Sequence, residues 1–376
     1  MVGGKSARLL VSLSCTAVAL AGCGGGADAV EAGRAHCGEG WSHSRAGTQA
    51  LLVHNGDSSA VDVAVVSGGA VFAELEDVGP GTTRPLHVSL TAGTYTVTCR
   101  PDDAALITGP QVRVSGPGEG ARGVRPITRD DLYPALRAYR AYATQGLRAL
   151  EERTVELRDA VRSGDLDVAR AAWLPAHLAY ERLGAAYGTF GDFADKIDGR
   201  PAGLPKGVHD ADFTGFHRVE YGLWHGESAA SLRAPADRLA SDVRALRDDF
   251  PRQQTDPNDL GLRAHEILEN TLQFELTGKG DQGSGTMLAT AAANLDGTRA
   301  VLDPLRPLLR GRMDLTEIDV WLDRTARMLR AQYRHGKWTP LSRLSTMERE
   351  RIDGAISELV ELLASVATIA EVRRTP

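Results

Sequence analysis

The residues in this chain best suited to chemistry are histidines and carboxylates set about one helical turn apart. In GFHRVEYG, residues 215–222, His217 and Glu220 stand three apart. On a helix that spacing places an imidazole and a carboxylate side by side on one face. WLPAHLAYERLG carries His177 and Glu181 four apart, with Trp173 one turn earlier on the same stripe, and AHEILENTLQFELTG carries His265 and Glu269 four apart, with Glu266 alongside. Any one such pair serves equally well as a helix-face hydrogen bond or a core histidine with its partner. Three of them in one helical region are what a bundle metal site is built from, since such sites use inward-facing Glu and His on separate helices. Carboxylates with one or two imidazoles suit ferric or ferrous iron, manganese or calcium better than copper(I) or structural zinc. The helical region has no cysteine, so thiolate chemistry is excluded there.

Two peptidase patterns are approached and missed. His265-Glu266-Ile267-Leu268-Glu269 has Glu where H-E-x-x-H needs its second His, and His217-Arg218-Val219-Glu220-Tyr221 ends in Tyr where H-x-x-E-H needs His. The expectation is therefore a metal-binding protein and not an enzyme. Upstream, Glu74 and Glu76 sit on alternate residues of one strand and offer either a hard-cation site or an exposed strand face. A blue-copper site needs two His, a Cys and a weak axial ligand. Cys99 is followed by Arg100-Pro101-Asp102-Asp103 with no His, and no Met lies between Met1 and Met287, so that chemistry is not expected.

Two kinds of element must position these residues. From Ala46 to about residue 116 the chain is β in character: LLVHN, VDVAVV, GGAVFAEL, TRPLHVSL and GTYTVTC alternate apolar and polar residues between Gly, Pro and Asn/Asp turns, predicting a small β-sandwich over 46–116. GPGEGARGVR predicts a linker over 117–125. From 126 to 376 the pattern is helical and predicts a bundle. Long amphipathic stretches begin near Ile127, a second runs from 165 to about 187 with Pro175 inside it, and further helices fall near 213–226, 235–250, 257–277, 285–310, 315–335 and 346–372. GTFGDFADKIDGRPAGLPKGVHDAD, between the second helix and the His217 helix, predicts an irregular segment, which at that length is commonly functional.

The N-terminus predicts export. Lys5 and Arg8 precede an apolar run from Leu9 to Ala21, too short to span a membrane and ending in Leu20-Ala21-Gly22-Cys23. That layout predicts a lipoprotein signal peptide over 1–22, lipidation of Cys23, a tether over 23–45, and attachment at the extracytoplasmic face of the cell membrane, periplasmic or cell-surface. Cys37 and Cys99 then remain, either as a disulfide, the default in an oxidising compartment, or as a thiolate metal site. The formal charge is −6, from 43 basic and 49 acidic residues with no dense Lys/Arg block, so nucleic acid is not an expected partner.

The runs WLPAHLAYERLGAAYGTFGDF, GVHDADFTGFHRVEYGLWHG and RAHEILENTLQFELTG resemble the EfeO family. These are extracytoplasmic components of EfeUOB-type bacterial iron-uptake systems, with an imelysin-like, metallopeptidase-like helical domain behind a cupredoxin-like one. The resemblance is strong over about 125–376 and weaker over 37–116. It implies that the family's G-x-H-x-x-E signature falls on Gly215, His217 and Glu220, that Glu181 is a third ligand and Asp198 in KIDGR a fourth; Glu269 in HEILEN is added as a further candidate. In the β-domain it points to Cys37, Cys99, Glu74 and Glu76 as a possible second metal site, for copper or another divalent cation. The implied function is an iron-binding lipoprotein that delivers iron to a membrane permease in concert with a haem-dependent peroxidase partner. Two alternatives stand beside it: a metal-dependent hydrolase with Glu266 as general base, and a surface protein that binds polysaccharide through cations.

Overall fold

The computed structural model describes residues 29–42, 44–102 and 104–372. The leader at 1–22 and the lipidation candidate Cys23 lie outside the described residues. The chain divides into two compact units, one ending at Val124 and one beginning at Arg125.

The first unit is a β-sandwich. Strands β1 (Ala29–Ala32), β3 (Gly47–Asn55) and β6 (Thr83–Leu90) form one sheet, in the order β1-β3-β6. Strands β2 (Ser44–Arg45), β4 (Val61–Ser67), β5 (Ala70–Val78), β7 (Gly93–Pro101) and β8 (Ile107–Ser115) form the other, in the order β2-β8-β7-β4-β5. Period-2 burial is plain in both: Leu51, Val53, Leu86 and Val88 face Val61, Val63, Val65, Tyr95, Val97, Val112 and Val114 across one core.

Both ends of this unit correct the sequence reading. The tether predicted over 23–45 does not hold for its described part: β1 pairs in parallel with β3, burying Val30 and Ala32, and Trp41 is buried as well. Its glycines read as flexibility but serve a tight turn. Gly40, at φ +91°, passes so close to the Ala29 carbonyl that a Cβ would meet that oxygen at 1.9 Å. The linker predicted over 117–125 is held against the sandwich through backbone hydrogen bonds in both directions between Val124 and Val71, and from the Ala121 N–H to the Ser89 carbonyl.

The second unit is a helical bundle. Its helices are α1 (Arg129–Ser163), α2 (Leu166–Glu181), α3 (Tyr187–Phe190), α4 (Phe193–Asp198), α5 (Gly215–Trp224), α6 (Ala229–Asp249), α7 (Asp259–Asn270), α8 (Met287–Leu309), α9 (Thr316–Arg330) and α10 (Thr346–Ala370). Capping boxes start α1 at Thr128/Asp131 and α10 at Ser345/Glu348, and Gly164 in the left-handed conformation ends α1. α1 packs along α2, α6 and α8, and α10 packs along α7, over a single apolar core that includes Leu147, Leu150, Trp173, Phe190, Phe216, Leu239, Leu268, Leu302 and Leu359.

The segment predicted as irregular, 188–212, contains the end of α3 and all of α4. Phe190 and Ile197 are buried there, which explains why two short helices are retained in a Gly/Pro-rich stretch. α4 then abuts the start of α5. Gly215, at φ +83°, lies where a Cβ would meet the Ile197 carbonyl oxygen at 2.2 Å, and the Thr214 hydroxyl donates to the Lys196 carbonyl at 3.1 Å. That close backbone approach brings Asp198 to the helix that carries His217.

Candidate metal centre

The site is assembled from α2, α4 and α5. The His177 Nε2 lies 3.1 Å from Glu181 Oε1, one turn along α2, and donates to Asp198 Oδ1 at 3.2 Å. The same Asp198 oxygen lies 3.7 Å from His217 Nε2. Among the described residues, His177, Asp198 and His217 are the group whose ligand atoms all fall within 4.8 Å of one another. Both imidazoles are buried, at 1% and 2% exposure.

The walls fix these rings. Trp173 stacks on His177 at 4.8 Å between centroids, and its indole N–H donates to the Phe216 carbonyl at 3.0 Å, tying α2 to α5. The Phe216 ring packs against His177 as well, tilted, at 5.3 Å between centroids. Glu181 is held from α8, where the Asn294 amide donates to its Oε2 at 2.8 Å and accepts from the Thr271 hydroxyl at 3.2 Å. Glu220 is fully buried. Its Oε2 accepts from His217 Nδ1 at 3.2 Å, and its Oε1 accepts the backbone N–H groups of Gln282 and Ser284 at 3.1 Å each.

A fourth buried carboxylate lies near enough to interact electrostatically with the site. The chain following α7 passes through a π-helical turn, Thr271–Glu275, which leaves Glu275 only 6% exposed. Burial, reinforced by the charge of Glu181, pushes its carboxyl up to about 8 against the pull of His217, Arg200 and His177. The Arg200 guanidinium carbon lies over the neighbouring Phe274 ring, 3.7 Å from its centroid.

The remaining charges sort into acids and bases. Burial alone would depress the His177 imidazolium, but the hydrogen bond and charge of Asp198, then those of Glu181, hold it well above the usual histidine range. His217 behaves likewise: burial opposes its charge, Asp198 and the Glu220 hydrogen bond outweigh that, and the net shift is upward. Asp198 is raised by burial but brought below its ordinary value by the charge of His217, by His177 and by Arg200. Glu220 is also lowered, burial being outweighed by its hydrogen bond to His217. The surrounding carboxylates thus favour the charged form of both imidazoles, so a cation binding here competes with protons.

Several sequence expectations meet the structure differently. Glu181, His217, Glu220 and Asp198 converge, but Glu269 does not: its side chain is 59% exposed and faces His265 Nδ1 at 3.6 Å. The reason is helix phase. The buried stripe of α7 runs through Leu260, Ala264 and Leu268 and continues at Thr271 and Glu275, so Glu275 is the inward acid. That stripe was a usable signal for Glu275, and the His177/Glu181 spacing was one for His177, which sequence reasoning noted as a pair but did not place among the ligands. Cys37 and Cys99 are joined in a disulfide, so neither can offer a thiolate to a second metal site. Glu74 and Glu76 both lie on β5, and among the described residues no third ligand joins them in a metal-capable group.

A family model for imelysin, peptidase M75, matches residues 135–366. The iron uptake system component EfeO of Yersinia pseudotuberculosis is 28% identical over 324 residues, covering 85% of this chain and 85% of that protein. The protein of the same name from Escherichia coli O157:H7 is 27% identical over 325 residues, with the same coverage of both. A solved imelysin-like protein from Psychrobacter arcticum aligns with a TM-score of 0.46 at 15% identity, over 64% of this chain and 98% of its own. With well over half of its length matched by the family model, the chain belongs to the imelysin family.

Proposed function

We propose that this protein is an extracytoplasmic iron-binding component of an iron-uptake system, carrying iron between α2, α4 and α5 and delivering it to a membrane permease, with a haem-dependent peroxidase as a further partner and a lipid on Cys23 as its anchor. The observation that carries the reading is the convergence of His177, Asp198 and His217 in a buried pocket also lined by Glu181. Oxygen-rich donor sets with imidazole suit ferrous and ferric iron. The relatives named above, called iron uptake system components, supply the biological context. The hydrolase alternative requires Glu266 beside a metal-bound water, whereas Glu266 pairs with Arg263 one turn away on α7 and lies outside the metal-capable group.

Calorimetric titration of the full chain with a ferric chelate, and anaerobically with ferrous iron, tests the proposal, with zinc and calcium as controls. One tight iron site is expected in the wild-type chain and none in the Asp198→Ala, His217→Ala double variant at unchanged helical circular dichroism. Equal iron stoichiometry in that variant would refute it.

A further inference from the structure

Glu220 is placed as a support and not as a ligand. The metal-capable side of His217 is Nε2, which faces Asp198; Glu220 sits at the opposite nitrogen, Nδ1, at 3.2 Å. Its other oxygen is taken by the backbone N–H groups of Gln282 and Ser284. The loop that presents those two N–H groups is itself folded for the purpose. Asp281 Oδ1 accepts from the Gly283 and Gly285 N–H groups at 2.8 and 3.0 Å, and Gly283, at φ +125°, lies where a Cβ would come within 2.7 Å of the Trp224 Cβ. To bind a metal through Oε1, Glu220 would have to give up the two loop N–H groups, and through Oε2 it would set the cation beside the His217 Nδ1–H, so either mode disturbs a fully buried hydrogen bond.

A carboxylate can only accept, so the proton on this side of the ring must be on Nδ1. A neutral imidazole protonated at Nδ1 carries its lone pair on Nε2, the nitrogen that faces Asp198. His177 has no equivalent support, because among the described residues its buried Nδ1 has no hydrogen-bond partner. We propose that Glu220 is the positioning residue of the centre: it fixes the Nδ1–H tautomer of His217 and, through Gln282 and Ser284, couples that ring to the 276–286 loop. This deepens the metal-binding reading above and rests on it.

The experiment is long-range 15N–1H NMR on the full chain labelled in histidine, with Zn2+ as a diamagnetic probe and the His217 signals identified by their loss in His217→Gln. In the metal-free protein, at a pH where the ring is neutral, His217 is expected as the Nδ1–H tautomer, and zinc is expected to shift Nε2. Glu220→Gln separates positioning from ligation. An amide that keeps its oxygen toward the two loop N–H groups must turn its NH2 toward Nδ1, which moves the ring proton to Nε2 and blocks the ligand nitrogen. Zinc affinity should fall by about 10–100-fold, the usual effect of losing an outer-shell partner, and by at least as much as in Glu220→Ala. A ligand role predicts the reverse order, since an amide oxygen still coordinates and a methyl group does not.

Zinc on Nδ1, or Glu220→Gln binding more tightly than Glu220→Ala, overturns this inference while leaving a metal site in place. A wild-type chain in which zinc moves neither nitrogen and binds nowhere in a parallel titration overturns the metal site and the inference together. If Glu220→Gln does not fold, the wild-type tautomer and the nitrogen that zinc shifts decide the matter alone.

Discussion

Replacing Glu275 by Gln should stabilise the metal-free protein, and by an amount that depends on pH in a defined way. Glu275 is buried, and burial followed by the charge of Glu181 raises its carboxyl from an ordinary 4.5 to about 8. An acid whose folded value lies above its unfolded value costs nothing below about pH 4.5. The cost grows as pH rises from there to the folded value and is constant above it. At ~1.4 kcal/mol per pH unit the full rise amounts to ~5 kcal/mol, an upper figure because relaxation and water entry reduce it. The amide has the shape of the protonated acid and carries no such cost. Guanidinium unfolding of the metal-free chain, followed at 222 nm to report the helical unit, should therefore give coincident curves for wild type and Glu275→Gln at about pH 4 and below, with midpoints that separate up to pH 8 and stay parallel beyond it. A stability difference of the same size at pH 5 and pH 9, or a less stable variant at pH 9, would refute the reasoning.

Other expectations follow from the same geometry. His177 and His217 are raised in the metal-free fold, so metal must displace protons from them: affinity for iron or zinc should rise with pH through and beyond the usual histidine range, with proton release measurable by calorimetry in buffers of different ionisation enthalpy. In the metal-free protein the same raised values contribute stability that is complete below about pH 6.5 and lost as pH rises through the folded values, while the lowered Asp198 and Glu220 contribute stability that is lost on acidification through theirs. Glu269→Ala should leave iron affinity unchanged, because that side chain points to solvent beside His265. Replacing Cys37 and Cys99 together by Ser opens a link across 62 residues and should destabilise the β-sandwich by ~4 kcal/mol, read by thermal unfolding, without altering the iron stoichiometry of the helical unit.

What could be read from the sequence was set by which contacts are local. His217 with Glu220, and His177 with Glu181, are neighbours within one helix, and helix periodicity alone places each pair on a common face. Asp198 lies on a six-residue helix inside a Gly/Pro-rich stretch, and it reaches the histidines because Gly215 allows the backbones of α4 and α5 to touch: a Cβ there would meet the Ile197 carbonyl oxygen at 2.2 Å. Periodicity carries no signal for that approach, and only the family resemblance pointed to Asp198. The His265–Glu269 spacing marks one face of α7, whereas the buried stripe that leads to Glu275 runs along another. In the β-sandwich, β3, β4, β5, β6 and β7 coincide with the segments that the alternation and turn residues mark in the sequence, whereas β8 does not. β1 has only four residues and pairs with β3 in parallel, so no hairpin turn marks it in the sequence.

The most direct test of the central claim is an anomalous difference map at the iron edge from crystals of the iron-loaded full chain. A single strong peak is predicted within bonding distance of Asp198 Oδ1 and the Nε2 of His217, between α2, α4 and α5. Iron seated on Glu74 and Glu76 of the β-sandwich, or on the exposed His265–Glu269 pair, with the pocket beside Asp198 empty, would contradict it.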